Sequence, residues 1–258
     1  MFWFALFFFI SPLYSEAQSS NFNLPSKNTG KDNHQDDYND PFVQAEHLFH
    51  SGKFYSAKTY YHKYLLDSKN GKKRQKVFFR LGFIDQNAKS FSTALWYYQM
   101  LIESNPDSLL ANQVKFNMAI CNFELEKFDA SEKLFKAIIR NSVDKKQKWE
   151  ALYYLSKLDA HKLNFEHAIE KLKRIYLHSG DKKMSQYAFK LAKDMINEKF
   201  NEKTLSTLIW KYKSSFPADL LLLKKISISR EQGDFALYKS TANEFLLKFP
   251  KHKISDEL

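Results

Sequence analysis

Cysteine is almost absent from these 258 residues: Cys121 stands alone. No internal disulfide can form, and cysteine usage leaves the redox compartment open. Turn formers are scarce as well, with 6 Gly and 6 Pro. So few breakers suit a chain of helices joined by short connections, with almost no strand. Arginine is rare too, supplying 5 of the 40 cations. Because arginine is the side chain that grips phosphate through a bidentate fork, nucleic-acid readout lacks its usual instrument. The sequence carries no glycine-rich phosphate loop, no nucleophile elbow and no paired-cysteine metal spacing. His161 and His167 are six residues apart, too far round a helix to share a face as i, i+4 ligands would. His47 and His50 read as surface side chains beside a turn. Glu124 and Glu126, two apart, cannot pair across a helix. No enzyme activity, metal, cofactor or small-molecule substrate is expected.

What the chain has instead is a period. Phe54, Phe91, Phe128 and Phe165 stand 37 residues apart, and their neighbours keep step. Three residues on come Ala57, Ala94, Ser131 and Ala168; seven on come Tyr61, Tyr98, Phe135 and Leu172; ten on come Tyr64, Leu101, Ile138 and Ile175. Offsets of 0, 3, 7 and 10 trace one face of an α-helix. Nine residues before each Phe stands a small residue, Ala45, Gly82, Ala119 or Ser156, where a preceding helix can lie close. The unit is therefore a helical hairpin, and a period of this length marks a stack of such units. Hairpins are expected over about 41–68, 72–105, 108–142, 145–179, 183–216 and 218–250. Asp40-Pro41 reads as the first N-cap and N1, and Asn105-Pro106-Asp107 closes the second unit. In the fifth unit Glu202 stands where Phe belongs, and Phe235 follows it after only 33 residues.

The first 14 residues, MFWFALFFFISPLY, are almost wholly apolar, and Ser15-Glu16-Ala17 offers small residues at the −3 and −1 places of a signal-peptidase site. Residues 1–17 thus read as a signal peptide, too short to span a bilayer as an ordinary helix, although no Lys or Arg precedes the apolar run. Residues 18–40 are polar and aperiodic and read as a disordered linker. The mature chain, with no apolar run long enough, should lack a transmembrane span. The net charge is +11. The leader and linker hold two lysines against five acids, which leaves +14 on residues 41–258. That excess suits either a solvated lysine surface or an anionic partner.

The units resemble tetratricopeptide repeats. Gly82, Phe91, Ala94, Tyr98 and Pro106 match the family pattern in the second unit, and Gly52, Phe54, Ala57 and Tyr61 match it in the first. Gly233 and Phe235 match in the sixth, while Tyr238 and Ala242 invert the usual sizes. The family period is 34, so three extra residues per unit are expected in the second helix or the loop between units. The resemblance implies an all-α, right-handed superhelical solenoid of about six helix-turn-helix repeats over residues 41–258. Phe128, Phe165 and Ala168 join the positions above as its structural residues.

The stretch 218–252 is also similar to exported bacterial envelope repeat proteins: the Tol–Pal coordinator, outer-membrane assembly lipoproteins and the repeat domain of penicillin-binding-protein activators. This implies a non-enzymatic protein–protein interaction scaffold in the periplasm. Its partner would be an envelope protein segment held in a concave groove lined by the first helices. The alternative is a module that binds an anionic polymer or lipid surface, such as peptidoglycan, lipid headgroups or nucleic acid. Since the repeat residues are packing residues, binding is expected on exposed first-helix positions: Arg80, Lys115, Asn122, Lys157 and His161. Of these, Arg80 and Asn122 resemble the side chains with which such repeats hold an extended peptide. The C-terminal Ser255-Asp256-Glu257-Leu258 resembles an endoplasmic-reticulum retention signal, the alternative localisation. The lack of an Asn-x-Ser/Thr sequon speaks for the bacterial one.

Overall fold

The structure, a computed structural model, describes residues 40–67, 73–105 and 110–255. The leader, the linker up to residue 39, Pro106-Asp107 and residues 256–258 lie outside the described residues. Helices follow one another as α1 (Pro41–His50), α2 (Phe54–Asp67), α3 (Arg74–Asn87), α4 (Phe91–Ser104), α5 (Ala111–Glu124) and α6 (Phe128–Asn141). They continue as α7 (Lys145–His161), α8 (Phe165–His178), α9 (Lys182–Lys199), α10 (Glu202–Tyr212), α11 (Ala218–Glu231) and α12 (Phe235–Lys248). Consecutive helices pack on each other from α1 to α9 and from α10 to α12, α7 also touches α9, and α9 touches α11. Among the described residues six hairpins stack as an all-α solenoid, the odd-numbered helix first in each.

Helix starts are written in side chains. Asp40, Asp144, Asp181, Asn201 and Asp234 each accept a hydrogen bond from an amide of the first turn of α1, α7, α9, α10 and α12. Helix ends are written in the backbone. The residue two places before each repeat Phe has a positive φ: Gly52 73°, Lys89 61°, Glu126 58°, Leu163 62° and Gly233 71°. At each of these turns the next amide reaches back to the carbonyl five residues earlier, as Lys127 N does to Asn122 O at 2.8 Å. This is the Schellman closure. It explains the repeating Phe: the turn delivers that residue to the first position of the second helix.

The small residue nine places before each Phe is buried in all four matching units. A Cβ on Gly82 would stand 2.5 Å from the Tyr98 ring, so the pair sets how closely α3 and α4 approach. In the third unit the hydroxyl of Ser131 donates to Ala119 O at 2.9 Å. First helices lie between two neighbours and are buried on several sides, as α3 is at Val77, Phe78, Phe79, Leu81 and Ile84. Second helices bury one stripe, as α4 does with Ala94, Tyr97, Tyr98 and Leu101.

Three expectations need correction. The extra residues do not lengthen the second helix, since α2, α4, α6, α8 and α12 all have 14 residues. They fall, as the other half of that expectation had it, between units, where six residues separate α2 from α3 and α4 from α5, and they extend the first helices α7 and α9 to 17 and 18 residues. Second, the seam aromatic of the fifth unit is Phe200, two residues before Glu202: it is buried, with its ring 5.5 Å from that of Phe165. Third, Phe235 is not a packing residue; it is 78% exposed. The half-buried repeat Phe residues are covered by the following unit: Phe54 by Phe83 at 6.1 Å, Phe128 by His161 at 4.0 Å and Phe165 by Phe200. Among the described residues the sixth unit has no following hairpin, so nothing of that kind covers Phe235. Gly233 keeps its role through its φ.

Candidate functional site

Where successive first helices meet, their side chains form a strip along the solenoid. Between α1 and α3 the Glu46 carboxylate takes hydrogen bonds from Arg80 Nε at 3.1 Å and Nη2 at 3.2 Å. It also receives the Tyr61 hydroxyl at 2.6 Å and lies 2.7 Å from Lys76 Nζ. Burial by itself would raise this carboxyl, but the hydrogen bonds and charge of Arg80, with help from Lys76 and Tyr61, hold it down at about 2. The Arg80 guanidinium also lies 4.1 Å from the centre of the Phe49 ring, and Phe49 meets Phe83 at 5.5 Å.

Between the third and fourth units Lys157 Nζ lies 4.7 Å from the Phe123 ring and 5.4 Å from that of Tyr154. Burial lowers the ammonium's pKa, with Glu124 pulling the other way. Glu124 is raised by burial, against the charges of Lys157 and Lys89. One turn on from Lys157, the His161 ring lies 4.0 Å from that of Phe128, tilted to it by 41°. Between the fourth and fifth units Tyr153 and Tyr187 are 6.4 Å apart, and burial, with the Tyr187 and Asp194 charges, pushes the Tyr153 hydroxyl up to about 12. Phe49, Phe83, Tyr153 and Tyr187 are all half-buried, so the strip presents ring edges and faces to solvent.

The five expected binding residues divide. Lys115 is exposed on α5 and His161 is exposed at the end of α7, while Lys157 is half-buried beside it. The structure brings Lys157 and His161 together over Phe123 and Phe128. Arg80 is only 4% exposed and serves the Glu46 network, and Asn122 is 9% exposed, its side-chain amide donating to Met118 O at 2.8 Å. Neither is the exposed grip that the sequence suggested. A first helix is covered by two neighbours, so a face that looks free in projection becomes a contact with the next unit. Glu46, Phe83 and Lys157 all stand eight residues before a repeat Phe. The 37-residue period, applied to that offset, finds these three, but not Phe49, Tyr153 or Tyr187.

Comparison with solved structures places this arrangement. The chain is similar to a tetratricopeptide repeat protein from Parabacteroides merdae ATCC 43184, with a TM-score of 0.51 at 15% identity over 83% of this chain and 80% of that one. The fold is tetratricopeptide-like. No family model matches the sequence, and no curated protein matches it. A tetratricopeptide-like stack presents long surfaces for other chains, and protein partners are what such a fold suggests. Among the described residues no cluster of three His, Cys, Asp or Glu side chains could hold a metal ion, and no helix is long and apolar enough to cross a membrane.

Proposed function

We propose that this chain is a non-enzymatic scaffold of the bacterial cell envelope, exported by residues 1–17, whose first-helix strip holds a segment of a partner envelope protein. The observation that carries the reading is two pairs of half-buried aromatic side chains on the first helices of a tetratricopeptide-like stack, Phe49 with Phe83 on α1 and α3 and Tyr153 with Tyr187 on α7 and α9. Such rings bury apolar area against a partner without first having to be unpacked. Lys157 and His161 add polar contacts on α7, and Lys115 adds charge on α5. The leader-like start of the sequence supports export.

One observation favours a second reading, an anionic polymer or lipid surface as partner: the +14 carried by residues 41–258. Salt separates the two. Held by counterion release, the chain would leave heparin or anionic vesicles steeply as salt rises; an aromatic strip holding a peptide responds weakly. Fractionation of a Gram-negative host producing the full chain tests the compartment. Recovery from the periplasm with an N-terminus at Gln18 is expected, and an uncleaved cytoplasmic product contradicts export.

A further inference from the structure

Two buried carboxylates on first helices have opposite surroundings. Glu46 is surrounded by donors, whereas Glu150, only 8% exposed on α7, has an Oε1 atom that accepts no hydrogen bond. Its nearest cation, Lys146 Nζ on the preceding turn, stops at 4.0 Å. The other charges acting on it are negative: Asp144 at the N-cap of its own helix and Asp181 at the N-cap of α9. Both aspartates are fixed by their capping bonds, to Lys146 N and Lys183 N, each at 2.8 Å. Helices α7 and α9 touch, so Glu150 belongs to the joint between the fourth and fifth units.

We propose that Glu150 is a proton-operated joint in the solenoid. Protonated, its neutral carboxyl is tolerated in the packed junction and α9 stays docked on α7. Ionised, it carries charge onto a buried Oε1 that meets no donor, facing two fixed aspartates, and it gains by moving toward water and Lys146. Such movement loosens the fifth unit against the fourth, and with it the Tyr153–Tyr187 part of the strip. The working range is near neutrality: burial, with Asp144 and Asp181 against Lys146, moves this carboxyl up from 4.5 to about 7. Because the folded value is the raised one, the stabilisation is complete below 4.5. It fades as pH climbs through about 7, since the folded state holds the extra proton.

Hydrogen exchange of the full chain, corrected for the intrinsic effect of pH, tests this. Between pH 6 and pH 8 the protection of α9 should fall by up to about tenfold, as follows from a folded value of about 7 against 4.5 unfolded, while that of α3 and α4 stays level. Glu150→Gln removes the titrating carboxyl and is the control: its α9 protection should not change with pH. Asp181→Asn keeps the N-cap acceptor but removes one repelling charge, so it should move the midpoint to lower pH, a readout that survives if Glu150→Gln folds poorly. Equal pH dependence in wild type and Glu150→Gln, or an unmoved midpoint in Asp181→Asn, overturns the proposal.

Discussion

Gly82 and Tyr98 are fitted to each other: a Cβ on Gly82 would lie 2.5, 2.7 and 2.9 Å from three atoms of the Tyr98 ring. The ring cannot swing away cheaply. It is fully buried, and its hydroxyl donates to Gln86 Oε1 at 2.7 Å and accepts from Asn117 Nδ2 at 3.1 Å. Gly82→Ala is therefore expected to cost about 1–3 kcal/mol, the usual range for overpacking. Urea unfolding of the variant measures it, and a midpoint equal to wild type sinks the account of the seam.

Leu163 holds a φ of 62° at the turn between α7 and α8, where Gly52 and Gly233 hold the same conformation without a Cβ. Its side chain is 70% exposed and has little packing to lose. Leu163→Gly should raise stability by about 1 kcal/mol by relieving the left-handed strain. Gly52→Ala should lower it by a similar amount. Thermal unfolding of the pair reads both signs.

The Glu46 carboxyl sits at about 2, below its usual 4.5. A lowered folded-state value means stability present above 4.5 and lost as pH falls toward 2. Glu46→Gln should cost about 3 kcal/mol at neutral pH, from a shift of roughly 2.5 units. It should also flatten the acid limb of the pH–stability curve over that window. Denaturant titrations at pH 2.5, 3.5, 4.5 and 7 give the curve; a variant as acid-sensitive as wild type would mean that the titration lies elsewhere.

Phe200 and Phe235 make a contrast within one repeat position. Phe200 is buried against Phe165, so Phe200→Ala should cost about 3–5 kcal/mol, as in other aromatic truncations. Exposed Phe235 should tolerate Ala within about 0.5 kcal/mol. Equal costs would put the fifth-unit seam back at the sequence-repeat position.

How much of this was readable beforehand depends on what repeats. The first four hairpins came from the period, because Ala45, Gly82, Ala119 and Ser156 meet the same demand for close approach in each of those units. The Phe200 substitution was hidden because the unit drops its left-handed turn. Its seam residue then arrives two places early, where a fixed-offset search does not look. The exposure of Phe235 depends on the absence of a described following hairpin, which no local pattern encodes. Arg80 and Asn122 were misplaced because helical projection shows one helix at a time, whereas their burial comes from the neighbouring units. The charged joint at Glu150 was invisible for the same reason: Asp181 is 31 residues away in the chain.

The central claim is that the first-helix strip holds a partner protein. Site-specific photo-crosslinking in the living cell tests it most directly, with the photoreactive residue placed at Tyr187 or Lys115 on first helices, or at Trp210 or Tyr55 on exposed second-helix positions. The account predicts that the two first-helix positions trap the same envelope protein through one contiguous segment, while Trp210 and Tyr55 do not. Crosslinks confined to Trp210 and Tyr55, or an identical pattern from all four positions, would contradict it.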